Sequence, residues 1–171
     1  MKIYKFFNPV PDTLEELKKQ YRELAHKHHP DNGDDAEVMK IINNEYSALF
    51  PRLKDTHQTK DGTTYTTKEP NTETAEQFID LINVLMQMDG IIIEVIGCFV
   101  WVSGETKPYK EALKELNFRW HTKKFCWYLA PEDYRKRSRK DYSLDEIRNM
   151  YGTSGEVNSR GSMKLDERAS A

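Results

Sequence analysis

The stretch Tyr21-Arg22-Glu23-Leu24-Ala25-His26-Lys27-His28-His29-Pro30-Asp31 decides how the amino-terminal third of the chain folds. It holds the end of an amphipathic helix and the turn that stops it. Upstream, Leu14, Leu17, Tyr21, Leu24 and His28 recur at spacings of three and four, which is one stripe of an α-helix. Thr13-Leu14-Glu15-Glu16 opens that helix as a capping box, a hydroxyl for the free amides and a glutamate three residues later reaching back. Pro30 closes it, because the residue before a proline is pushed out of helical geometry. Downstream, Asn32-Gly33-Asp34 supplies loop residues. Val38, Met39, Ile42, Tyr46 and Leu49 then form a second stripe that runs up to Pro51. Two helices joined by a short polar loop make an antiparallel hairpin whose apolar stripes face each other. Tyr4 and Phe7 are placed to pack against the pair, and His28 reads as a packed core histidine.

This stretch closely resembles the second helix and loop of the J domain of DnaJ-type co-chaperones. The match continues upstream to Tyr4 and the Leu14-Leu17 helix start, and downstream through Met39, Ile42, Tyr46 and Leu49. It covers residues 1–54, about a third of the chain. The resemblance implies that His29, Pro30 and Asp31 dock on a DnaK-type heat-shock chaperone and accelerate its ATP hydrolysis. It also implies a positive docking face on the preceding helix, here Lys18, Lys19, Arg22, His26 and Lys27. Spaced by four, Lys18, Arg22 and His26 form a stripe turned away from Leu17, Tyr21 and Leu24. A positive stripe meeting an acidic surface speeds encounter and fixes orientation. By themselves the tripeptide is a plain turn and the lysines an ordinary solvated face. Glu23 departs from the family, standing where a basic residue is common, and Glu45 stands where a small alanine is usual. Neither a Gly/Phe-rich stretch nor Cys-x-x-Cys zinc repeats are present, so the expectation is a J domain fused to something else.

The rest of the chain changes character. Residues 55–74 hold eight threonines among charges and Pro70, without apolar periodicity, and read as a polar linker. Lys60-Asp61-Gly62-Thr63 is placed to turn a small hairpin, but the flanking threonines alone cannot stabilise one. A third helix is expected from Thr74 to Met88. Ile91–Ile96 and Phe99–Val102 read as a hairpin, Pro108–Leu116 as a helix, and Phe118–His121 with Phe125–Leu129 as a second hairpin. Ser143-Leu144-Asp145-Glu146 is another capping box, opening a helix to about Tyr151. The fold class expected is α+β: a helical J domain over 1–54, the linker over 55–74, a helix and a small β-β-α-β-β module over 75–151, and a disordered tail over 152–171.

The 171 residues are 37% hydrophobic and 32% charged, and the net charge of −2 hides an uneven distribution. Residues 1–54 are neutral, 55–104 carry −6, 105–140 carry +6, and 141–171 carry −2. Residues 91–140 interleave these basic groups with Trp101, Trp120, Trp127, Phe118, Phe125 and Tyr128. Two readings stay open for it. One is a nucleic-acid surface for DNA or RNA, with Lys107, Arg119, Lys123, Lys124, Tyr128, Arg135, Lys136 and Arg137 as candidate contacts. The other is a docking module that brings a protein client to the chaperone, its aromatics forming the core of a small sheet. Alternation puts Phe118 with Trp120, and Phe125 with Trp127, on one face packed against the helix, and Arg119, His121, Cys126 and Tyr128 on the other. Apolar runs such as Ile91-Ile92-Ile93 are too short to cross a bilayer, and two cysteines make no disulfide framework, so a cytoplasmic protein is expected. Cys98 and Cys126, read as strand residues, lack partners at zinc spacing, and no nucleophile elbow or phosphate loop is visible. No metal, cofactor or enzymatic activity is expected.

Overall fold

Helix α1 spans Leu14–Lys27, and its first turn is built from the residues that signal it. The Thr13 hydroxyl accepts the Glu16 N–H at 3.3 Å, and the Glu16 carboxylate reaches back to the Asp12 N–H at 3.0 Å. A 3-10 turn, Pro30–Asn32, follows, and then α2, Ala36–Leu53, capped by the Asp35 carboxylate on the Glu37 N–H. Pro51 lies inside the last turn of α2 rather than ending it. Leu49 and Phe50 are buried there, and their packing offsets the hydrogen bond a proline cannot donate. The computed structural model describes residues 3–59, 61–68, 71–131, 134, 139–151 and 157–158, with backbone alone at 31, 151, 157 and 158. Among them no helix is long and apolar enough to cross a membrane.

The fold is mixed α+β in two compact units, residues 1–84 and 85–171. In the first, Leu14, Leu17, Tyr21 and Ala25 of α1 and Met39, Ile42, Tyr46 and Leu49 of α2 form the core. The Tyr21 and Tyr46 rings lie 4.6 Å apart. Burial pushes the Tyr21 phenol pKa well up, with Asp80 adding to it, and its hydroxyl donates to Asn43 at 2.9 Å. Phe7 and Tyr4 are buried too, in the segment before α1.

The first unit does not stop at residue 54. Residues 55–74, expected to be a linker, contain strands β1, Thr56–Gln58, and β2, Thr64–Thr66, in antiparallel register with Thr56 opposite Thr66. A lone two-stranded hairpin is marginal in water. Here one carboxylate ties it to α1: Glu15 holds the His57 ring at 2.8 Å and accepts the Gln58 N–H at 3.2 Å. Helix α3, Ala75–Met86, then packs Phe78 on the hairpin core, 5.9 Å from Tyr21 and 5.8 Å from Tyr46.

The second unit is an antiparallel sheet in the order β5-β6-β4-β3-β7. Its strands are β3, Ile91–Ile96; β4, Phe99–Gly104; β5, Arg119–His121; β6, Cys126–Leu129; and β7, Val157–Asn158. Helix α4, Lys110–Glu115, connects β4 to β5, and α5, Leu144–Tyr151, follows β6. Ile91, Ile93, Val95, Val100, Val102 and Trp127 are buried on one face. On the other, Ile96, Trp101 and Cys126 pack with Phe99, Tyr128 and, from α5, Leu144 and Ile147. Gly104, at φ +85°, approaches Gly90 so closely that a Cβ there would sit 2.5 Å from the Gly90 carbonyl oxygen.

Three sequence expectations change here. Phe125 is not a strand residue in the aromatic layer: it has φ +51° and is 75% exposed. Cys98 lies in the turn between β3 and β4 rather than on a strand, while Cys126 is buried on β6. In the tail read as disordered, Val157–Asn158 pairs with Ile92 and Ile93 of β3; positions 152–156 and 159–171 lie outside the described residues.

Candidate functional site

Helix α1 ends at the site. His28 caps it, its N–H on the Leu24 carbonyl, and His29 and Pro30 then turn the chain. The turn is closed by two backbone hydrogen bonds, Asn32 N–H to the His29 carbonyl and Gly33 N–H to the Pro30 carbonyl, both 2.9 Å. Gly33, at φ +88°, provides the exit. Two side chains brace the turn from outside. Asn32 donates to the His26 carbonyl at 2.6 Å, and the His28 ring lies 2.7 Å from the Asp34 carboxylate with Phe6 edge-on at 5.4 Å. His28 is therefore a half-buried brace rather than a core residue. Pro30 is exposed and His29 half-buried, while for Asp31 only the backbone is described.

The positive face expected on α1 is divided. Lys27 is exposed, and Lys19 and His26 are half-buried, but Lys18 and Arg22 are buried. The correction has a clear cause: α1 is packed on two sides. Its Leu17–Tyr21–Ala25 stripe faces α2, Lys18 lies under the chain around α3, and Arg22 is fully buried. Lys18 Nζ is 2.7 Å from the Glu73 carboxylate and 4.8 Å from the centre of the Phe78 ring. Burial lowers the Arg22 guanidinium pKa to about 10, with Glu23 opposing the shift, so it stays cationic at neutral pH. Burial also raises the Glu23 carboxyl pKa, against the pull of Lys19 and Arg22. Periodicity alone does not reveal the cover, because Glu73 and Phe78 are distant in sequence.

In the second unit the candidate nucleic-acid residues are only partly gathered. Lys107 and Arg119 are exposed, Arg119 opposite Tyr128 in the β5–β6 pair. Tyr128 is half-buried, 5.4 Å from Trp101 and 6.0 Å from His121, and so belongs to the core. Lys123 and Lys124 meet the same carboxylate, Asp141, at 3.4 and 3.0 Å. These hydrogen bonds, chiefly that of Lys124, hold the Asp141 carboxyl pKa down to about 2. Arg135, Lys136 and Arg137 lie outside the described residues. Trp120 remains 44% exposed although it pairs edge-to-face with Trp127 at 5.5 Å.

A mouse protein, "DnaJ homolog subfamily C member 5B", is 31% identical to the chain over 149 residues, covering 78% of this chain and 70% of the relative. No protein-family model matches the chain. No solved structure matches it either.

Proposed function

The chain belongs to the DnaJ-type J-domain co-chaperone family, and from that membership we propose that it docks on a DnaK-type chaperone through His29, Pro30 and Asp31 and stimulates its ATP hydrolysis. The observation that carries this reading is the braced turn. Asn32 and the His28–Asp34 pair fix the connecting turn at the loop end of the α-hairpin, with Pro30 exposed and Lys27 beside it. A braced turn with Pro30 exposed is what a partner surface recognises at small entropic cost. The chemistry on this reading belongs to the partner: the chain biases a conformational equilibrium of the chaperone and supplies no reacting group. The second unit selects the target. Immobilised wild-type chain retains an ATP-loaded DnaK-type chaperone, and His29→Gln releases it while the circular dichroism spectrum stays unchanged. Equal retention by both contradicts the reading.

A second reading for residues 85–151 is a nucleic-acid surface, favoured by the exposure of Trp120 and Phe125 in the basic segment. Affinity for an oligonucleotide then falls steeply with ionic strength, whereas a protein-docking surface responds weakly.

A further inference from the structure

Lys18 and Arg22 are two of the five α1 residues that the docking reading uses, and in this chain they are buried. What covers Lys18 is specific. Glu73 brings a carboxylate to 2.7 Å from Lys18 Nζ, and Phe78 sets its ring beneath the same ammonium at 4.8 Å. The segment leading into α3 is held in place by paired contacts at its start. Asn71 donates its side-chain amide to the Lys54 carbonyl, its backbone N–H to Asp55, and accepts the Glu73 N–H on its side-chain oxygen at 2.9 Å. Glu73 thus occupies Lys18 with the kind of group that an acidic docking surface brings. The His29–Pro30 turn lies beyond this cover, at the other end of α1, and Pro30 stays exposed.

We infer that residues 71–84 form a detachable cover over the basic face of α1, latched by Glu73 and Phe78 on Lys18. The inference rests on the docking reading above and adds regulation to it. A chaperone engages the exposed turn first and reaches Lys18 and Arg22 only when its own acidic groups replace Glu73. The intact chain therefore works below its full capacity, since only the open fraction presents the complete face. The Glu73 side chain is 26% exposed, so a charge reversal there weakens the latch without opening a cavity in the core.

The experiment compares the full wild-type chain with Glu73→Lys, and uses Glu73→Gln as a second opener. Acetylation by an amine-reactive reagent, read by mass spectrometry as Lys18 against Lys27, reports the cover without any partner. Stimulated ATP hydrolysis by a DnaK-type chaperone reports its consequence. The expected result is slow modification of Lys18 in the wild type, modification approaching that of Lys27 in Glu73→Lys, and stimulation raised about fivefold in that variant. Lys18 reacting as fast as Lys27 in the wild type overturns the inference. So does a Glu73→Lys chain with Lys18 released and stimulation unchanged or lower, or one in which both openers leave Lys18 protected. Stimulation by no version, with Lys18 released, instead refutes the docking reading itself, and the regulatory role falls with it.

Discussion

Glu45 of α2 accepts the backbone N–H of Phe6 at 3.0 Å, and the same carboxylate takes Lys5 at 2.7 Å and Phe7 at 3.4 Å. A residue that departs from the family pattern therefore has a definite task, pinning the irregular segment that carries Tyr4 and Phe7 onto the hairpin. Glu45→Ala leaves three amides without this acceptor. The expected loss is about 1–3 kcal/mol in urea unfolding of the first unit, the range for removing one partner of a part-buried charged hydrogen bond. Glu45→Gln, which keeps an acceptor, loses less.

The second unit is tied together by a bidentate pair. Arg148 of α5 donates through Nε at 2.6 Å and Nη2 at 2.7 Å to Glu94 of β3, whose side chain is 5% exposed. Removing the arginine leaves a buried carboxylate facing Ile96 and Trp101, so Arg148→Ala costs about 3 kcal/mol or more. The double change Glu94→Leu with Arg148→Met recovers much of that loss. Tryptophan fluorescence during thermal unfolding reads both.

Asp141 gives the second unit an acid limit. Its carboxyl pKa is depressed from 3.8 to about 2 by Lys124 first and Lys123 after it. A depressed carboxylate stabilises the folded state above its ordinary pKa and loses that contribution as pH falls through its folded value. The Thr122–Lys124 turn therefore stays anchored down to pH 3.8 and releases towards pH 2. An NMR titration of the Asp141 carboxyl carbon with a midpoint near 4 contradicts this. Asp141→Asn releases Lys123, while Lys124 keeps His121 at 3.1 Å, and on the nucleic-acid reading it raises oligonucleotide affinity.

The brace on the turn also makes a prediction. Asp34→Ala removes the partner at 2.7 Å from the His28 ring and lies outside the tripeptide. One hydrogen bond of this kind corresponds to about a fivefold effect, so chaperone stimulation falls by about that factor with the unfolding midpoint nearly unchanged. Full activity in Asp34→Ala shows that the turn needs no such support.

Much of this was legible in the residues. The Thr13 cap, the Leu17–Tyr21 stripe and Pro30 define α1 and its end because local propensity and burial agree there. The β-β-α-β-β order followed from the change of period after Gly90. What could not be read was pairing at a distance. Lys18 and Arg22 have the spacing of a solvated stripe, and only the fold reveals that both are buried and that Glu73 and Phe78 cover Lys18. The hairpin at Thr56–Thr66 was signalled by its turn residues, but what stabilises it was hidden for the same reason, since its anchor is Glu15, more than 40 positions upstream. Phe125 left the aromatic layer because its positive φ breaks the strand alternation that the sequence suggests.

The central claim is that the His29–Pro30–Asp31 turn drives a DnaK-type partner. Single-turnover ATP hydrolysis by that chaperone, measured with the wild-type chain and with His29→Gln at equal concentration, tests it most directly. The expected result is acceleration by the wild type and none by His29→Gln, with both chains showing the same unfolding transition. Equal acceleration by the two contradicts it.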